Sequence, residues 1–485
     1  MRGMAENPSP PFFVSTYSKL PESLFRVAEI KPVAAPKAIL LNDTLATKIG
    51  ISTGWLHSAD ALNALAGNQA LPEIPRIAMA YAGHQFGNFV PSLGDGRAVL
   101  LGETNGYDLH LKGSGRTAFS RGGDGRATLS AMLREYIVSE AMAAFGIPTT
   151  RSLCVIETGE EVPRERMERG AVLTRVAKSH VRVGTFQYLA ARGEEAAMQA
   201  LIDHELARNF ANAPEGPDRS IWFLTQVISR QATLIAKWMC VGFIHGVMNT
   251  DNMQMAGETI DYGPCAFMDA FDPQKTFSSI DQNGRYAWDK QPVVALWNLT
   301  RLAEAMLPLF ASSTEAAIAL AEAELKEFMP QFETAFESGM AAKLGIAELR
   351  QGDAEFIALT LQNMANANID FTLFFSALTD SITAGDDAKI LRLFSNVTTA
   401  TQWLEAWHQR LNPQSLEVMR NANPNYIPRN HRVEEALAAA NRDDLKPLHR
   451  LLKVLSRPYE KHQGDEELAL PPKPDEEVLQ TFCGT

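Results

Sequence analysis

Between residues 76 and 180, short apolar runs alternate with glycine-rich breaks, a pattern typical of β-strands joined by turns. Between the second and third runs, residues 128–145 carry apolar side chains at helical spacing, which predicts an amphipathic helix. The order of two strands, one helix and two strands predicts a small β-rich unit with one key helix. The four predicted strands cover residues 97–103, 108–114, 152–158 and 170–177.

From residue 181 onward, the apolar positions repeat almost entirely at helical spacing. The longest run, residues 220–243, predicts a helix that leads into a polar loop. A later helix is predicted to begin at a capping box formed by Ser312 and Glu315. The polar, charged and proline-rich tail after about residue 456 is typical of a mobile segment.

These patterns divide the chain into four parts and predict an α+β fold with a small β-rich lobe and a large helical lobe. Residues 1–75, with a helix near 59–66, are expected to wrap the core rather than to form a separate domain. The other three parts are the N-lobe at 76–180, the C-lobe at 181–330, which contains the polar loop after residue 243, and a helical C-terminal extension at 331–485.

Composition narrows the functional class. The 485 residues are 46% hydrophobic and 21% charged, which is ordinary for a globular protein. A net charge of −12 argues against a nucleic-acid-binding surface, which needs clustered lysine and arginine. No secretion signal or membrane-spanning run is evident, so we expect a soluble, cytoplasmic protein without membrane contact, acting as a monomer. The four cysteines, at 154, 240, 265 and 483, lack the close spacing of a zinc site.

Lys112 lies on the second predicted strand, and Glu135 lies on the helix that follows. A protein-kinase site uses this order, because a strand lysine that neutralises nucleotide phosphates is held by a carboxylate of the neighbouring helix. A lone strand lysine is usually a solvated edge residue, and a lone helix glutamate is usually a surface charge. In this order, the two together favour a nucleotide site.

Glycine and arginine are concentrated next to Lys112. Residues 113–127 contain three arginines and a single acidic residue, Asp124, in a chain that is acidic overall. Positive charge on a flexible glycine-rich loop suits a polyphosphate, although a surface loop can have the same composition. The preceding Gly94-Asp95-Gly96-Arg97 is predicted as a tight turn, and its backbone N–H groups are also suited to phosphate. The arginines of this region are Arg116, Arg121 and Arg126, with Arg175 in the last predicted strand and Arg182 after it.

The segment HGVMNTDNMQ, residues 245–254, resembles a kinase catalytic loop with its acid displaced. Kinases have H-R-D-x-x-x-x-N, in which the aspartate accepts the substrate proton and the asparagine binds metal. His245 and Asn252 keep that spacing, but Val247 occupies the position of the aspartate. Asp251 is the only acid in the loop and is the candidate general base. The alternative for Asp251 is a turn-forming or supporting role.

Asp261-Tyr262-Gly263 follows this loop at the place of the kinase Asp-Phe-Gly motif. With Asn252, Asp261 supplies two oxygen ligands suited to magnesium, which otherwise relies on water and nucleotide phosphates. The residues alone therefore indicate a kinase-like nucleotide and metal site with a displaced acid. Three activities stay open at this point: a chemistry other than that of a kinase, phosphate transfer by an unusual kinase, and non-catalytic ATP binding by a pseudokinase scaffold.

Longer strings carry a resemblance to a known family. YAGHQFGNFVPSLGDGRAVLLGE, LKGSGRTAFSRGGDGRA, NTDNMQ with DYGPCAFMD, NPNYIPRNHRVEEAL (423–437) and a cysteine third from the end are similar to selenoprotein O and its bacterial cysteine-containing counterparts. The resemblance covers nearly the whole chain. It implies a protein-kinase-like bilobal fold that binds ATP in a flipped orientation. It also implies transfer of AMP to Ser, Thr or Tyr hydroxyls of proteins with release of pyrophosphate, and UMP transfer if manganese admits UTP.

The same resemblance implies roles for individual residues. Asp251 would be the catalytic proton acceptor, Asn252 and Asp261 would hold Mg²⁺ or Mn²⁺, and Glu135 would pair with Lys112. Cys265 and Cys483 would form a redox-regulated pair, with Cys483 where some relatives have selenocysteine. The implied nucleotide-binding residues are Gly94, Gly96, Arg97, Lys112, Asp124, Gly125, Glu135, Arg175, Arg182 and Asp261.

Overall fold

A computed structural model describes residues 11–71 and 73–482. Its strands are β1 Phe25–Val27, β2 Lys37–Leu41, β3 Ile77–Met79, β4 Gly83–Gln85, β5 Asn88–Val90, β6 Ala98–Thr104, β7 Tyr107–Lys112, β8 Arg151–Pro163, β9 Met167–Ala177, β10 Phe243–Ile244 and β11 Ala266–Phe267. Its helices in the first half are α1 Asp43–Lys48, α2 Thr53–Leu56, α3 Ala59–Leu65, α4 Leu129–Ala144, α5 Val183–Ala190, α6 Glu195–Asn209 and α7 Arg219–Cys240. Those in the second half are α8 Gln291–Met306, α9 Thr314–Lys326, α10 Phe328–Lys343, α11 Asp353–Asn366, α12 Phe371–Ala384, α13 Ala388–Leu391, α14 Val397–His408, α15 Ser415–Ala422, α16 Asn430–Ala440 and α17 Lys446–Leu455.

Seven of the described strands form one antiparallel sheet in the order β1-β3-β6-β7-β9-β8-β2. Strand β6 is buried along its whole length, as expected for a central strand with both faces covered. It joins β7 through Asn105 and Gly106, which have φ values of 47° and 74°. Asn-Gly suits such a turn because both residues tolerate positive φ. Strands β1 and β2, from the N-terminal part, form the two edges.

Helix α4 packs across β8 and β9 and carries Glu135 towards the sheet. It begins where the side chain of Thr128 accepts a hydrogen bond from the backbone N–H of Ala131, a common N-cap that satisfies one free donor of the first turn. The predicted helix over residues 128–145 and the four predicted strands of this region are confirmed. The hairpin of β8 and β9 is longer than predicted, because β8 continues to Pro163 rather than ending at residue 158, and β9 begins at Met167 rather than at residue 170.

The second half is built almost entirely from helices, with α7 packed against α8 and α10. The predicted capping box at Ser312 is wrong. Helix α9 begins one residue later, because Ser313 accepts the hydrogen bond from Ala316 N at 3.2 Å. Near the C-terminus, α16 and α17 pack on the outer side of α4, and Asn441 donates to Ser130 Oγ at 2.7 Å.

Although composition predicts a mobile tail after about residue 456, its described residues contact the body of the protein. Thr481 N donates to Phe277 O at 2.7 Å, and Thr481 Oγ1 donates to Pro264 O at 2.5 Å. The expected α+β class is confirmed by the sheet and the many helices around it. Within residues 11–71 and 73–482, no helix combines the length and the apolar character that crossing a bilayer requires.

Candidate functional site

A cleft of about 690 Å³ lies between the sheet and the loop that follows α7. The sheet side contributes the turn before β6, the ends of β7 and β9, and the glycine-rich loop between β7 and α4. The cleft thus collects residues that are far apart in the chain. The sequence-predicted residues that line it are Gly94, Gly96, Arg97, Lys112, Asp124, Gly125, Arg175, Arg182, Asp251, Asn252 and Asp261.

Four charged side chains meet at the back of the cleft. Lys112 Nζ donates to Glu135 Oε2 at 2.7 Å and to Asp261 Oδ1 at 2.7 Å. Arg175 donates to Glu135 through Nε, and its Nη2 lies 3.4 Å from Asp261 Oδ1. The pairing of β7 with β9 explains the meeting, because it sets Arg175 opposite His110, two residues before Lys112 on the same face. Two cations and two carboxylates therefore balance each other in a buried cluster.

The electrostatics of this cluster keep both acids ionised. Burial raises the pKa of Asp261, but Lys112, Arg175 and Arg97 outweigh it and hold that pKa well below its usual range. Burial likewise raises the pKa of Glu135, and Arg175 and Lys112 reverse the effect and lower it. Asp261 also has a φ of 67°, a left-handed conformation that is uncommon for a residue other than glycine. An ionised carboxylate with constrained backbone is suited to bind a cation.

Asn252 belongs to a single 3-10 turn, Thr250–Asn252. Its side-chain Nδ2 donates to Val247 O at 3.0 Å, so its side-chain oxygen is the atom with metal-ligand chemistry. His245 Nε2 lies 2.8 Å from Ile260 O, which ties this loop to the residue before Asp261. Within the described residues, no group of three or more His, Cys, Asp or Glu is arranged to hold a metal ion. Two oxygen donors fit magnesium or manganese when nucleotide phosphates complete the shell.

Asp251 lines the cleft beside Asn252. Its buried Oδ1 has no hydrogen-bond partner among the described residues. Burial raises the pKa of Asp251 to about 6, although Arg182 acts in the opposite direction. A Cβ added to Gly83 would lie 2.8 Å from Asp251 Oδ1, so the glycine allows strand β4 to approach this carboxylate. A carboxylate that lines a cleft and has a raised pKa is suited to accept a proton.

Arg182 connects the loop to the sheet side of the cleft. Its Nη1 donates to the backbone carbonyl of Asp251 at 3.1 Å, and its guanidinium lies 4.4 Å from the ring centre of Tyr81. Asp95 Oδ1 lies 3.8 Å from Arg182 Nη2, while Asp95 Oδ2 is 2.9 Å from His110 Nε2. The orientation of Arg182 is therefore set from three sides.

Sequence reasoning missed Asp95, His110 and Tyr81, which also line the cleft. Asp95 is buried, and the pKa of its carboxyl is lowered to about 2, because His110 and Arg182 together outweigh the burial that would raise it. The only sequence signal for Asp95 is its place between Gly94 and Gly96. His110 has no such signal, because its partner Asp95 lies in the turn before β6 and not on the same strand.

The outer part of the cleft is formed by the glycine-rich loop. Asp124 is exposed and pairs with Arg164 Nη1 at 2.8 Å. Gly125 has a φ of 69°, and a Cβ there would lie 2.2 Å from the backbone of Gly115, so only glycine fits where the two ends of the loop touch. Arg121 and Arg126 line the cleft, whereas Arg116 is not among the described residues that do so.

Of the predicted redox pair, only Cys265 lies within the described residues. It is buried, its Sγ donates to Tyr262 O at 3.3 Å, and burial raises the pKa of its thiol to about 12. Cys483 lies outside the described residues. Thr481, two positions before it in the sequence, is hydrogen-bonded to Pro264, the residue before Cys265.

Comparison with known proteins gives matches along nearly the whole chain. A family model described as protein adenylyltransferase SelO matches residues 11–456. A protein nucleotidyltransferase YdiU of Rhodopseudomonas palustris (strain BisB18) is 52% identical over 98% of this chain and 99% of its own length. A protein of the same name from Bradyrhizobium sp. (strain BTAi1) is 52% identical over 98% of this chain and 99% of its own length. Another from Nitrobacter winogradskyi is 49% identical over 99% of this chain and 98% of its own length.

Proposed function

The chain belongs to the SelO family of protein adenylyltransferases and is a protein nucleotidyltransferase, and from this premise we propose that it transfers AMP from ATP to Ser, Thr or Tyr hydroxyls of target proteins. The bond formed joins the acceptor oxygen to the α-phosphorus, and the bond broken releases pyrophosphate. UMP transfer from UTP with manganese is part of the same proposal.

The observation that carries the proposal is the position of the acid. Val247 replaces the kinase aspartate, and the carboxylate of Asp251 lines the cleft instead, with an unpartnered Oδ1. We assign to Asp251 the acceptance of the hydroxyl proton as the acceptor oxygen attacks. Because Asp251 lies at a different position in the loop from the aspartate of a kinase, it suits attack at the α-phosphorus rather than at the γ-phosphorus.

Lys112, Arg175 and Arg182 are assigned to the phosphates. All three line the cleft, and pyrophosphate carries more charge as it leaves than a transferred phosphoryl group does. Glu135 holds Lys112 and Arg175 in place through the contacts described above. The turn residues Gly94, Gly96 and Arg97 and the loop residues Asp124 and Gly125 are proposed to contact the rest of the nucleotide.

Asn252 and Asp261 are proposed to hold the divalent ion, Mg²⁺ or Mn²⁺. When bound, such an ion neutralises phosphate charge and orients the nucleotide. The residues contribute two oxygen donors, and Lys112 and Arg175 keep the carboxylate of Asp261 ionised. The remaining coordination is left to water and to the nucleotide.

We also propose that Cys265 and Cys483 form a disulfide that regulates the enzyme. The support is that Thr481 is anchored to Pro264, which brings the described end of the chain to the segment that contains Cys265. Formation of the bond oxidises two thiols and needs an oxidant such as glutathione disulfide. Peptide mapping without reductant tests it, and two free thiols after treatment with glutathione disulfide would rule it out.

The experiment for the main proposal is mass spectrometry of protein incubated with ATP and Mg²⁺ or Mn²⁺. We expect Ser, Thr or Tyr residues that carry AMP, together with released pyrophosphate. Asp251→Asn, which preserves the size of the side chain, is expected to abolish the product while nucleotide binding persists. A phosphate adduct would indicate a kinase, and nucleotide binding without any adduct would indicate a scaffold.

A further inference from the structure

Arg134 precedes Glu135 on α4 and makes three contacts with a buried guanidinium, whose side chain is 7% exposed. Its Nε donates to Gly263 O at 3.1 Å, and its Nη2 donates to Cys265 O at 2.7 Å. Its Nη1 donates to Glu434 Oε1 on α16 at 3.0 Å. One side chain thus joins the helix of the N-lobe, the backbone after Asp261 and the C-terminal extension.

Through these contacts, α4 supports the proposed metal ligand Asp261 both at its side chain and at the backbone that follows it. Glu135 holds Lys112, which donates to Asp261, while Arg134 holds the two backbone carbonyls of Gly263 and Cys265 that follow. The carboxylate of Asp261 and the chain that carries it are therefore fixed by neighbouring residues of one helix. Such support matters because the left-handed conformation of Asp261 is intrinsically unfavourable.

We propose that Arg134 is a positioning residue for the metal site, and that Glu434 makes the C-terminal extension part of that site's support. The inference rests on the proposed role of Asn252 and Asp261 in metal binding. Arg134 touches neither the nucleotide cleft nor the reacting atoms. It acts by fixing the backbone of residues 263–265, which follow Asp261.

The chemistry of the side chain explains why arginine is suited to this position. A guanidinium presents donors in a rigid fork and can serve two carbonyls and a carboxylate together, whereas a lysine ammonium is a single flexible point. Glu434 is half exposed and balances the buried charge of Arg134. The end of α16 is also hydrogen-bonded to the sheet region. Asn441, the residue after α16, donates to Ser130 Oγ through its side chain, and the backbone carbonyl of Asn441 accepts from Arg169.

The test uses the full-length protein with a non-hydrolysable ATP analogue and Mn²⁺, measured by titration calorimetry and electron paramagnetic resonance. Substituting a residue that supports a metal ligand typically weakens metal affinity by about 10–100-fold, and we expect this range for Arg134→Met. Arg134→Lys and Glu434→Gln are expected to weaken Mn²⁺ binding less. Affinity for the analogue in the absence of metal is expected to change little in all three variants, because Arg134 does not line the nucleotide cleft.

Glu435→Gln is the matched control, because Glu435 lies on the same helix and pairs with Arg432 at the surface. Asp261→Asn tests the proposed function separately. If Asp261→Asn loses Mn²⁺ binding while Arg134→Lys, Glu434→Gln and any folded Arg134→Met retain it, the inference about Arg134 is wrong and the proposed function stands. If Asp261→Asn retains Mn²⁺ binding, the proposed metal site itself is wrong. Should Arg134→Met fail to fold, Arg134→Lys and Glu434→Gln decide the question.

Discussion

Replacing Glu135 by glutamine perturbs the centre of the charged cluster with almost no change in volume. Glu135 is 2% exposed and accepts from both Lys112 and Arg175. Without its charge, two buried cations face one carboxylate, that of Asp261. Because Lys112 already contacts Asp261 at 2.7 Å, we expect the lysine to shift towards it and away from the phosphate position.

The size of the effect follows from the burial of these groups. Removing one partner of a buried ion pair costs about 3–5 kcal/mol, because the remaining charge is left uncompensated. Asp261 compensates in part, so we expect Glu135→Gln to lose about 3 kcal/mol of unfolding free energy. If a similar amount is lost from transition-state stabilisation, kcat/KM falls about 100-fold, since each 1.36 kcal/mol is about a factor of ten.

The assays are urea denaturation and the rate of α-label transfer from ATP at saturating metal. Glu140→Gln is the control, because Glu140 lies on the same helix and pairs with Arg151 away from the cleft. We expect this control to retain wild-type kcat/KM while losing about 1.5–3 kcal/mol of unfolding free energy, because the Glu140 carboxylate accepts hydrogen bonds from Arg151, Asn42 and Ser152. The control therefore separates loss of stability from loss of activity. If Glu135→Gln transferred AMP at the wild-type rate, the assigned role of the cluster would be refuted.

Two further predictions concern positions near the site. Gly83→Ala would put a methyl group 2.8 Å from Asp251 Oδ1 and 2.9 Å from Leu93 Cδ1. Because this methyl group would displace the carboxylate of Asp251, we expect kcat to fall about 100-fold with little change in KM for ATP. An unchanged kcat would contradict the assigned role of Asp251. Burial raises the pKa of Glu258 to about 8, so the folded protein binds a proton that the unfolded chain releases above about pH 5. Stability should therefore fall between about pH 5 and pH 8, and Glu258→Gln should flatten that part of the denaturation profile, whereas an unaltered profile would count against the shifted pKa.

The sheet and the helix α4 that packs on it were largely predictable because their signals are local. Apolar periodicity defined α4 and the four strands around it, and the order of Lys112 and Glu135 along those elements was enough to predict their contact. The start of α9 was misplaced by one residue because Glu315 completes a capping-box pattern with Ser312, whereas the structure caps the helix with the hydroxyl of Ser313.

The rest of the site depends on contacts between distant residues, which leave no local pattern. Gly83 appears as an ordinary glycine until β4 is found against Asp251, more than 160 residues later in the chain. Arg134 likewise has the sequence context of a helix-surface arginine, and only the packing of α16 and of the segment after Asp261 explains its burial. Such residues become visible when tertiary structure brings their partners together.

The most direct measurement of the central claim is transfer from ATP labelled separately at the α- and γ-phosphates, with Mg²⁺ and Mn²⁺, in the wild type and in Asp261→Ala. We predict that only the α-label becomes attached to protein and that Asp261→Ala loses it, because this carboxylate lies beside Lys112 and Arg175 in the cleft. Transfer of the γ-label instead would contradict the proposal and identify the protein as a kinase with an unusual base.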